Sequence, residues 1–366
     1  MKKRLTASIL AGTMAFSLAA CGGSGSTADT TATHETTAAA ATAAPAESTD
    51  AANTPDASDA AADLGQAPEL KETSWSPSTT VSIVVPAGAG GGTDLSARMF
   101  AQYAKELTGA DFIVVNANGA AGSVAANQVL SAAADGHTFL YGHALVNVAN
   151  IAGVTDYNYT AFTLGPTFAK SPAQQLYVNP DKYQDLDGFI EAAKAAPGQL
   201  KVCSEVGAYT YYEILAFEKA AGIDLDLVDV GSNADKIAAM LSGQVDLMPG
   251  DYVNCKDYLD SGQFACIGAP LAERSQVIPD IPTLKEQGVD LVYPDLDYSF
   301  YFPEGTPEEV IIWYENLVQQ VLADPVALEA LQGVELAPYY LSAQDSAKNE
   351  ETIYSTIKGI ADELAN

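Results

Sequence analysis

The sequence predicts an α/β protein of two domains. Apolar runs of four to six residues alternate with segments of helical periodicity along most of the chain after residue 80, and short strands alternating with helices make mostly parallel sheets covered on both faces. The runs are also too many to sit comfortably in one sheet, and no segment repeats at solenoid length.

In chain order, strands are expected at 81–85, 112–115, 138–141, 176–178, 200–203, 225–230, 245–248 and 264–267. Helical patterns lie between them at 95–107, 123–134, 186–196, 211–221 and 234–242, and long helices close the chain at 307–323 and 343–364. In folds of this kind ligands bind outside the carboxyl ends of the strands, often between domains.

The start of the chain addresses the compartment. Lys2, Lys3 and Arg4 precede a short apolar run that closes on Leu18-Ala19-Ala20-Cys21. A basic start and a short apolar stretch describe a signal peptide, the stretch being too short to cross a hydrocarbon core of ~30 Å comfortably. Leu-Ala-Ala-Cys resembles the bacterial lipobox, so residues 1–21 are expected to be a lipoprotein signal peptide with Cys21 as the lipidation site. Residues 22–79 are rich in Ala, Thr, Ser and Gly and nearly free of large apolar side chains. Such a segment cannot bury enough surface to offset its ordering entropy and is expected to be a disordered tether. The expected location is extracytoplasmic, anchored to the cell membrane by an N-terminal lipid; a diacylated Cys supplies the two chains that firm anchoring needs.

The formal net charge is −30, from 47 acidic and 17 basic residues. Nucleic acid and anionic membrane surfaces are poor partners for such a chain. An anion remains a ligand for it only through local groups such as helix N-termini. Beyond Cys21, Cys203, Cys255 and Cys266 show no metal spacing. Three buried small hydrophobes, or one disulfide and one free thiol, both accommodate them.

The first strand runs into Pro86-Ala87-Gly88-Ala89-Gly90-Gly91-Gly92-Thr93-Asp94, with a helix immediately after and Arg98 one turn beyond Asp94. A glycine-rich strand-to-helix turn lets backbone N–H groups approach an anion at the positive end of a helix. Thr93 stands where a dinucleotide fingerprint needs its third Gly, and no Gly-Lys-Ser/Thr is present for a triphosphate. A second turn, Asn116-Ala117-Asn118-Gly119-Ala120-Ala121-Gly122-Ser123, again opens a helix. Together the two offer main-chain donors for one carboxylate. Asp94 is expected to cap its helix and pair with Arg98.

The ordered set Val85-Pro86, Gly91-Gly92-Thr93-Asp94 with Arg98, Gly119-Ala120-Ala121-Gly122, Asp135-Gly136-His137-Thr138, Gly243-Gln244-Val245-Asp246, Arg274 before Pro279-Asp280-Ile281-Pro282-Thr283, and Pro303-Glu304-Gly305-Thr306-Pro307 resembles the signatures of the Bug-type receptors of tripartite tricarboxylate transporters. The likeness runs from Val81 to the C-terminus. It implies a type II periplasmic-binding-protein fold, two α/β domains joined by crossing hinge strands near 175–179 and 291–303 and closing on the ligand. Domain 1 is then expected at 80–177 and 293–366, domain 2 at 178–292. The resemblance further implies a monomeric solute-binding protein without a cofactor, partnered by membrane transporter subunits and by a small carboxylate.

Carried over by position, the candidate ligand residues are Ala87, Gly88, Gly91, Gly92 and Thr93 of the first turn and Ala121, Gly122 and Ser123 of the second. The second domain offers Gly207, Ala208, Tyr209, Thr210 and Tyr211, with Asp251 at a strand end. His143, at the carboxyl end of a strand, and Tyr298, near the second hinge, complete the set. Family members commonly carry Phe where this chain has Ala87, and Gly-Ser-x-Ser-His where it has Gly207-Ala208-Tyr209-Thr210-Tyr211. Those departures, with Tyr298 and Phe300, point to an aromatic or partly apolar carboxylate. Asp251 lining the pocket would favour a ligand amine or hydroxyl over a second carboxylate; it reads equally well as a plain helix N-cap.

Only three histidines occur, His34, His137 and His143, with no Gly-x-Ser-x-Gly elbow and no zinc spacing. An enzyme is therefore not expected, and a hydrolase is a remote alternative. A receptor feeding a membrane sensor kinase would have the same sequence.

Overall fold

The computed structural model describes residues 70–365. Cys21, the expected signal peptide and most of the expected tether lie outside the described residues.

The chain builds β1 (Val81–Val85), α1 (Gly92–Thr108), β2 (Phe112–Asn116), a 3₁₀ turn at Ala120–Gly122, α2 (Ser123–Leu130), β3 (Thr138–Gly142), α3 (Leu145–Ile151), β4 (Phe162–Ser171) and β5 (Gln175–Val178). It continues through α4 (Leu186–Ala195), β6 (Lys201–Ser204), α5 (Tyr209–Ala221), β7 (Asp226–Asp229), α6 (Asn233–Leu241), β8 (Leu247–Gly250), α7 (Tyr252–Asp260) and β9 (Ala265–Gly268). The last elements are β10 (Leu296–Pro303), α8 (Glu308–Leu322), α9 (Pro325–Gly333), β11 (Ala337–Leu341) and α10 (Ala343–Ala365).

Two sheets result, in one compact unit. The first has the order β11-β4-β10-β3-β1-β2 and the second β7-β6-β8-β5-β9. Each defines a lobe. Pairing is parallel among β1, β2 and β3 and among β6, β7 and β8. It is antiparallel where β10, β4, β11 and β5 join, so the sheets are more mixed than expected. The reason is the connectivity: the chain enters the second sheet directly from β4 and returns from β9 to β10, without the helical crossover that a parallel neighbour requires.

The first crossing is the short link between β4 and β5. Gln175–Val178, expected to be that crossing, is a full strand of the second sheet, fully buried, which moves the lobe boundary a few residues earlier. Residues 71–78, expected as the end of the disordered tether, are docked on lobe 1. Lys71 pairs with Glu315 at 2.7 Å, Ser74 donates to Glu309 at 2.7 Å, and the Trp75 ring meets Trp313 edge-on at 5.1 Å. Trp75 is the one large anchor in that stretch, and its burial supplies what composition alone withheld.

Lobe 1 is held by an aromatic core. Phe300 is fully buried, stacked on Phe139 at 4.7 Å and edge-on to Phe100 at 4.9 Å; such pairs add about 0.5–1.5 kcal/mol each beyond their area. Lobe 2 has a mainly aliphatic core around Leu176, Val202, Ile214 and Leu247, with Phe189 and Phe217 among them. Helix α10 touches both: Glu350 reaches α3 of lobe 1, and Lys219 of α5 pairs with Glu363.

Candidate functional site

Between the sheets lies a cavity of about 630 Å³. Its lobe 1 wall is the turn after β1. Pro86, Ala87, Gly88, Gly91, Gly92 and Thr93 all line it, and Gly91 caps α1 without any side-chain hydrogen bond. A Cβ at Gly92 would stand 3.0 Å from the Tyr298 hydroxyl, so any larger residue would crowd Tyr298, which has Thr93 as its hydrogen-bonding neighbour, at the helix start.

The turn is fixed from behind. Asp94 accepts from the Gly90 N–H at 2.9 Å, from Asn116 at 2.8 Å and from Arg98 at 3.0 Å. Asn116, the last residue of β2, also donates to the Ala87 carbonyl at 3.0 Å. Burial opposes ionisation of Asp94, but these donors and the Arg98 charge hold its carboxyl below the usual range. Asp94 thus pairs with Arg98 as expected, but it sits inside the first turn of α1 and holds the preceding loop through Gly90, the N-cap position being Gly91.

The second turn is placed differently. Asn118 reaches the cavity, whereas Ala121, Gly122 and Ser123 stand outside its lining, and a Cβ added at Gly122 would meet Leu145 and Pro86 at 3.3–3.4 Å. Ala120 and Ala121 adopt left-handed φ of 47° and 52°, a conformation costly for residues with a Cβ. The turn supports the first wall more than it lines the cavity.

Lobe 2 supplies Ala208, Tyr209 and Thr210. Gly207 and Tyr211 are outside the lining: Gly207, at φ 78°, closes on Ala152 of lobe 1, and the Tyr211 ring packs on Tyr212 at 5.2 Å. Tyr209 stands edge-on to His143 at 5.4 Å and to Tyr293 at 4.9 Å, with its hydroxyl donating to the Pro294 carbonyl. Tyr258 is a further ring in the wall, while Phe300 is core. Half of the expected aromatic lining is therefore present, drawn from Tyr209 and Tyr298.

Asp251 and His143 both face the cavity. Asp251 begins α7 without a side-chain capping bond. Its carboxylate instead accepts from Gln174, from Asn233 at 2.6 Å and from Asn254 at 3.4 Å. Burial raises its pKa, against the pull of Asn233 and Lys236. Burial pushes His143 down to about 4, so it is a neutral group, and its Nδ1 has no partner among the described residues.

Sequence reasoning missed Lys236. It projects from α6 into the wall, is 5 % exposed, and donates to Thr210 Oγ1 at 3.2 Å. In sequence it reads as a solvated helix lysine. Its only signal is a position beside Ile237, on the face that α6 buries. Gln174 and Asn233 were missed for the same reason, since their roles depend on where two crossing segments meet.

The helix starts carry the electrostatics. Gly92 and Thr93 open α1, Tyr209 and Thr210 open α5, Asn233 and Ala234 open α6, and Asp251 precedes α7; all line one cavity. Helix N-termini carry about half a positive charge each, with free N–H donors. In a chain this acidic, their convergence makes a local seat for an anion. The described residues hold no cluster of metal-binding side chains and no helix long and apolar enough to cross a membrane.

The family model described as tripartite tricarboxylate transporter family receptor matches residues 96–363. A UPF0065 protein of Cupriavidus necator is 26 % identical over 314 residues, covering 83 % of this chain and 93 % of that protein. Protein BugT of Bordetella pertussis is 23 % identical over 263 residues, 69 % of this chain and 79 % of its own. Among solved structures, malate-bound MatC of Rhodopseudomonas palustris is 25 % identical with a TM-score of 0.70, covering 78 % of this chain and all of that one.

Proposed function

The chain belongs to the tripartite tricarboxylate transporter receptor family, and from that premise we propose that it captures a small carboxylate in the interlobe cavity and delivers it to a tripartite tricarboxylate-type transporter. The family is one of extracytoplasmic solute receptors, not enzymes. The protein acts while held to the membrane through lipidated Cys21, which becomes the N-terminus after loss of residues 1–20. The ligand's first carboxylate sits on the turn from Ala87 to Thr93, between the two lobes, and the rings of Tyr209 and Tyr298 contact its carbon skeleton.

The observation that carries this reading is the meeting of several helix N-termini on one cavity. Malate in MatC, at 25 % identity, supports the ligand class. The experiment is a thermal-shift screen of the purified full chain against small carboxylates. A ligand at a hundred times its Kd stabilises the folded state by about 2.7 kcal/mol, so at least one class of carboxylate should raise Tm by several degrees. A broad panel without any shift removes the proposal. Release of the protein from membranes by Cys21→Ser tests the anchor separately.

A further inference from the structure

The two walls of the cavity carry opposite electrostatics. On the lobe 1 side the lining of the turn, from Pro86 to Thr93, contains no acid. Asp94 is turned back, 2 % exposed, to the Gly90 N–H, Asn116 and Arg98, and the Gly91 cap gives the helix no side-chain partner. The positive end of α1 is therefore open to a ligand anion.

Lobe 2 is the reverse, because each of its helix starts on the cavity is matched by an acid. Asp251 precedes α7, Asp235 lies in the first turn of α6, and Glu205 stands just before α5, with its carbonyl accepting from the N–H of the Ala208 cap at 3.1 Å. The helix-end charges there are already compensated. Asp251 and Glu205 also line the cavity, and the lining holds one ammonium to balance them, Lys236. Burial pulls the Lys236 pKa down, and the acids around it, Asp251 and Glu205 among them, push back. Glu213 and Cys203 behind it are kept neutral by burial. Asp251 is held by the amides of Gln174, Asn233 and Asn254, which place its charge without neutralising it. Glu205 is half-buried, and its carboxylate has no hydrogen bond or ion pair among the described residues. Two carboxylates thus share a single ammonium, and the lobe 2 wall keeps negative charge in excess.

Resting on the receptor reading above, we infer that the cavity takes a zwitterion, an amino carboxylate whose carboxylate sits on the turn between Ala87 and Thr93 and whose ammonium meets the lobe 2 wall against Glu205 and Asp251. Glu205 is then a specificity-determining residue, the one carboxylate in the wall still without a partner of its own. The rings of Tyr209, Tyr258 and Tyr298 line the same space and give a cation further attractive surface. A second carboxylate at that end meets like charge in a partly dry setting and is disfavoured.

Calorimetric titration of the full chain provides the test, with the ω-amino carboxylates from glycine to 6-aminohexanoate, and with their N-acetyl derivatives, the plain monocarboxylates and the α,ω-dicarboxylates of equal length. The best amino carboxylate should bind at least about tenfold more tightly than each of its three counterparts, and Glu205→Gln should cut those ratios by roughly tenfold, with Glu205→Asp keeping part of the preference. Ratios near one in the wild-type chain, or tighter binding of the dicarboxylate, overturn the zwitterion while leaving the receptor reading in place. A preference that Glu205→Gln leaves unmoved overturns the role of Glu205. Should Glu205→Gln fail to fold, the wild-type ratios still decide for or against the zwitterion. Silence of all four series together with silence of the broad carboxylate panel overturns the receptor reading as well, whereas panel hits confined to carboxylates without an amine overturn the zwitterion alone.

Discussion

The two lobes bury ionisable groups in opposite places. In lobe 1 the buried carboxyl groups lie behind the sheet or behind the binding turn, and each has at least one partner: Glu350 accepts from Asn147 at 2.6 Å and Tyr301 at 2.7 Å, Asp297 from Asn349 at 2.7 Å, and Asp94 from Gly90, Arg98 and Asn116, while neutral His143 is the ionisable group this lobe turns to the cavity. The face that lobe 1 turns to the cavity is glycine-rich main chain flanked by the rings of His143 and Tyr298. Lobe 2 keeps Lys236, Glu213 and Asp251 at or just beneath the cavity face, and Lys236 and Glu213 are poorly partnered. A fully partnered buried charge organises the protein around it; an under-partnered one beside a cavity is organised for something that arrives.

The largest test of this contrast is the pH dependence of stability. Burial raises Glu350 from 4.5 to about 7, so between those values the folded protein holds a proton that the unfolded chain has lost. Stability should therefore fall as pH rises through that window, by roughly 3 kcal/mol in all, and level off above it. Asp297, raised by burial to about 6, adds in the same direction, whereas Asp94, held below its ordinary value, contributes stability that is lost only as pH falls through its folded pKa. Glu213, which burial drives well up, adds to the slope from lobe 2. Urea denaturation from pH 4.5 to 8 measures the slope, and Glu350→Gln should remove the share that belongs to Glu350; a slope left wholly unchanged would move that share elsewhere.

The second test reaches lobe 2. Asp251→Ala strands the side-chain amides of Gln174 and Asn233 at the hinge and should cost about 1–3 kcal/mol in denaturation experiments. If it costs nothing, Asp251 is not the organiser of that corner, and the distinction between well-partnered Asp251 and sparsely partnered Lys236 fails.

The smallest effect belongs to lobe 1's cavity face, which is built of main chain. Thr93→Val should weaken carboxylate binding several-fold, about 1 kcal/mol, while moving Tm little. A large Tm loss would mean that Thr93 holds the turn and does not serve the ligand.

The elements with strong periodicity were legible in the sequence: the strands of both parallel halves and the helices from α4 to α6 fall within a few residues of expectation. Phe162–Ser171 was not, because Gly165 and Pro166 interrupt its pattern; it is tolerated as a strand between β10 and β11 where register shifts already break the ladder. Helix α3 is too short to show a period, and β11 is a five-residue edge strand. At the site, the first turn was readable because its glycines encode backbone shape locally. Lys236, Gln174 and Asn233 were hidden because nothing in a single segment says which lysine or amide a neighbouring segment will cover. Tyr211 and Gly207 were over-read for the same reason: adjacency in sequence to Tyr209 does not confer its direction.

The closing helix α10 is one rigid rod fastened at two unequal points. Near its start it is riveted into lobe 1 by Glu350 and by the buried side chains Ile353 and Ile357. Toward its end it holds lobe 2 by the half-buried Ile360 and by the exposed pair Lys219–Glu363, and exposed ion pairs are worth 0–1 kcal/mol. Of the two attachments, the one to lobe 2 is therefore the one that added salt weakens, since screening acts on the exposed Lys219–Glu363 pair and hardly on the buried Glu350 anchor.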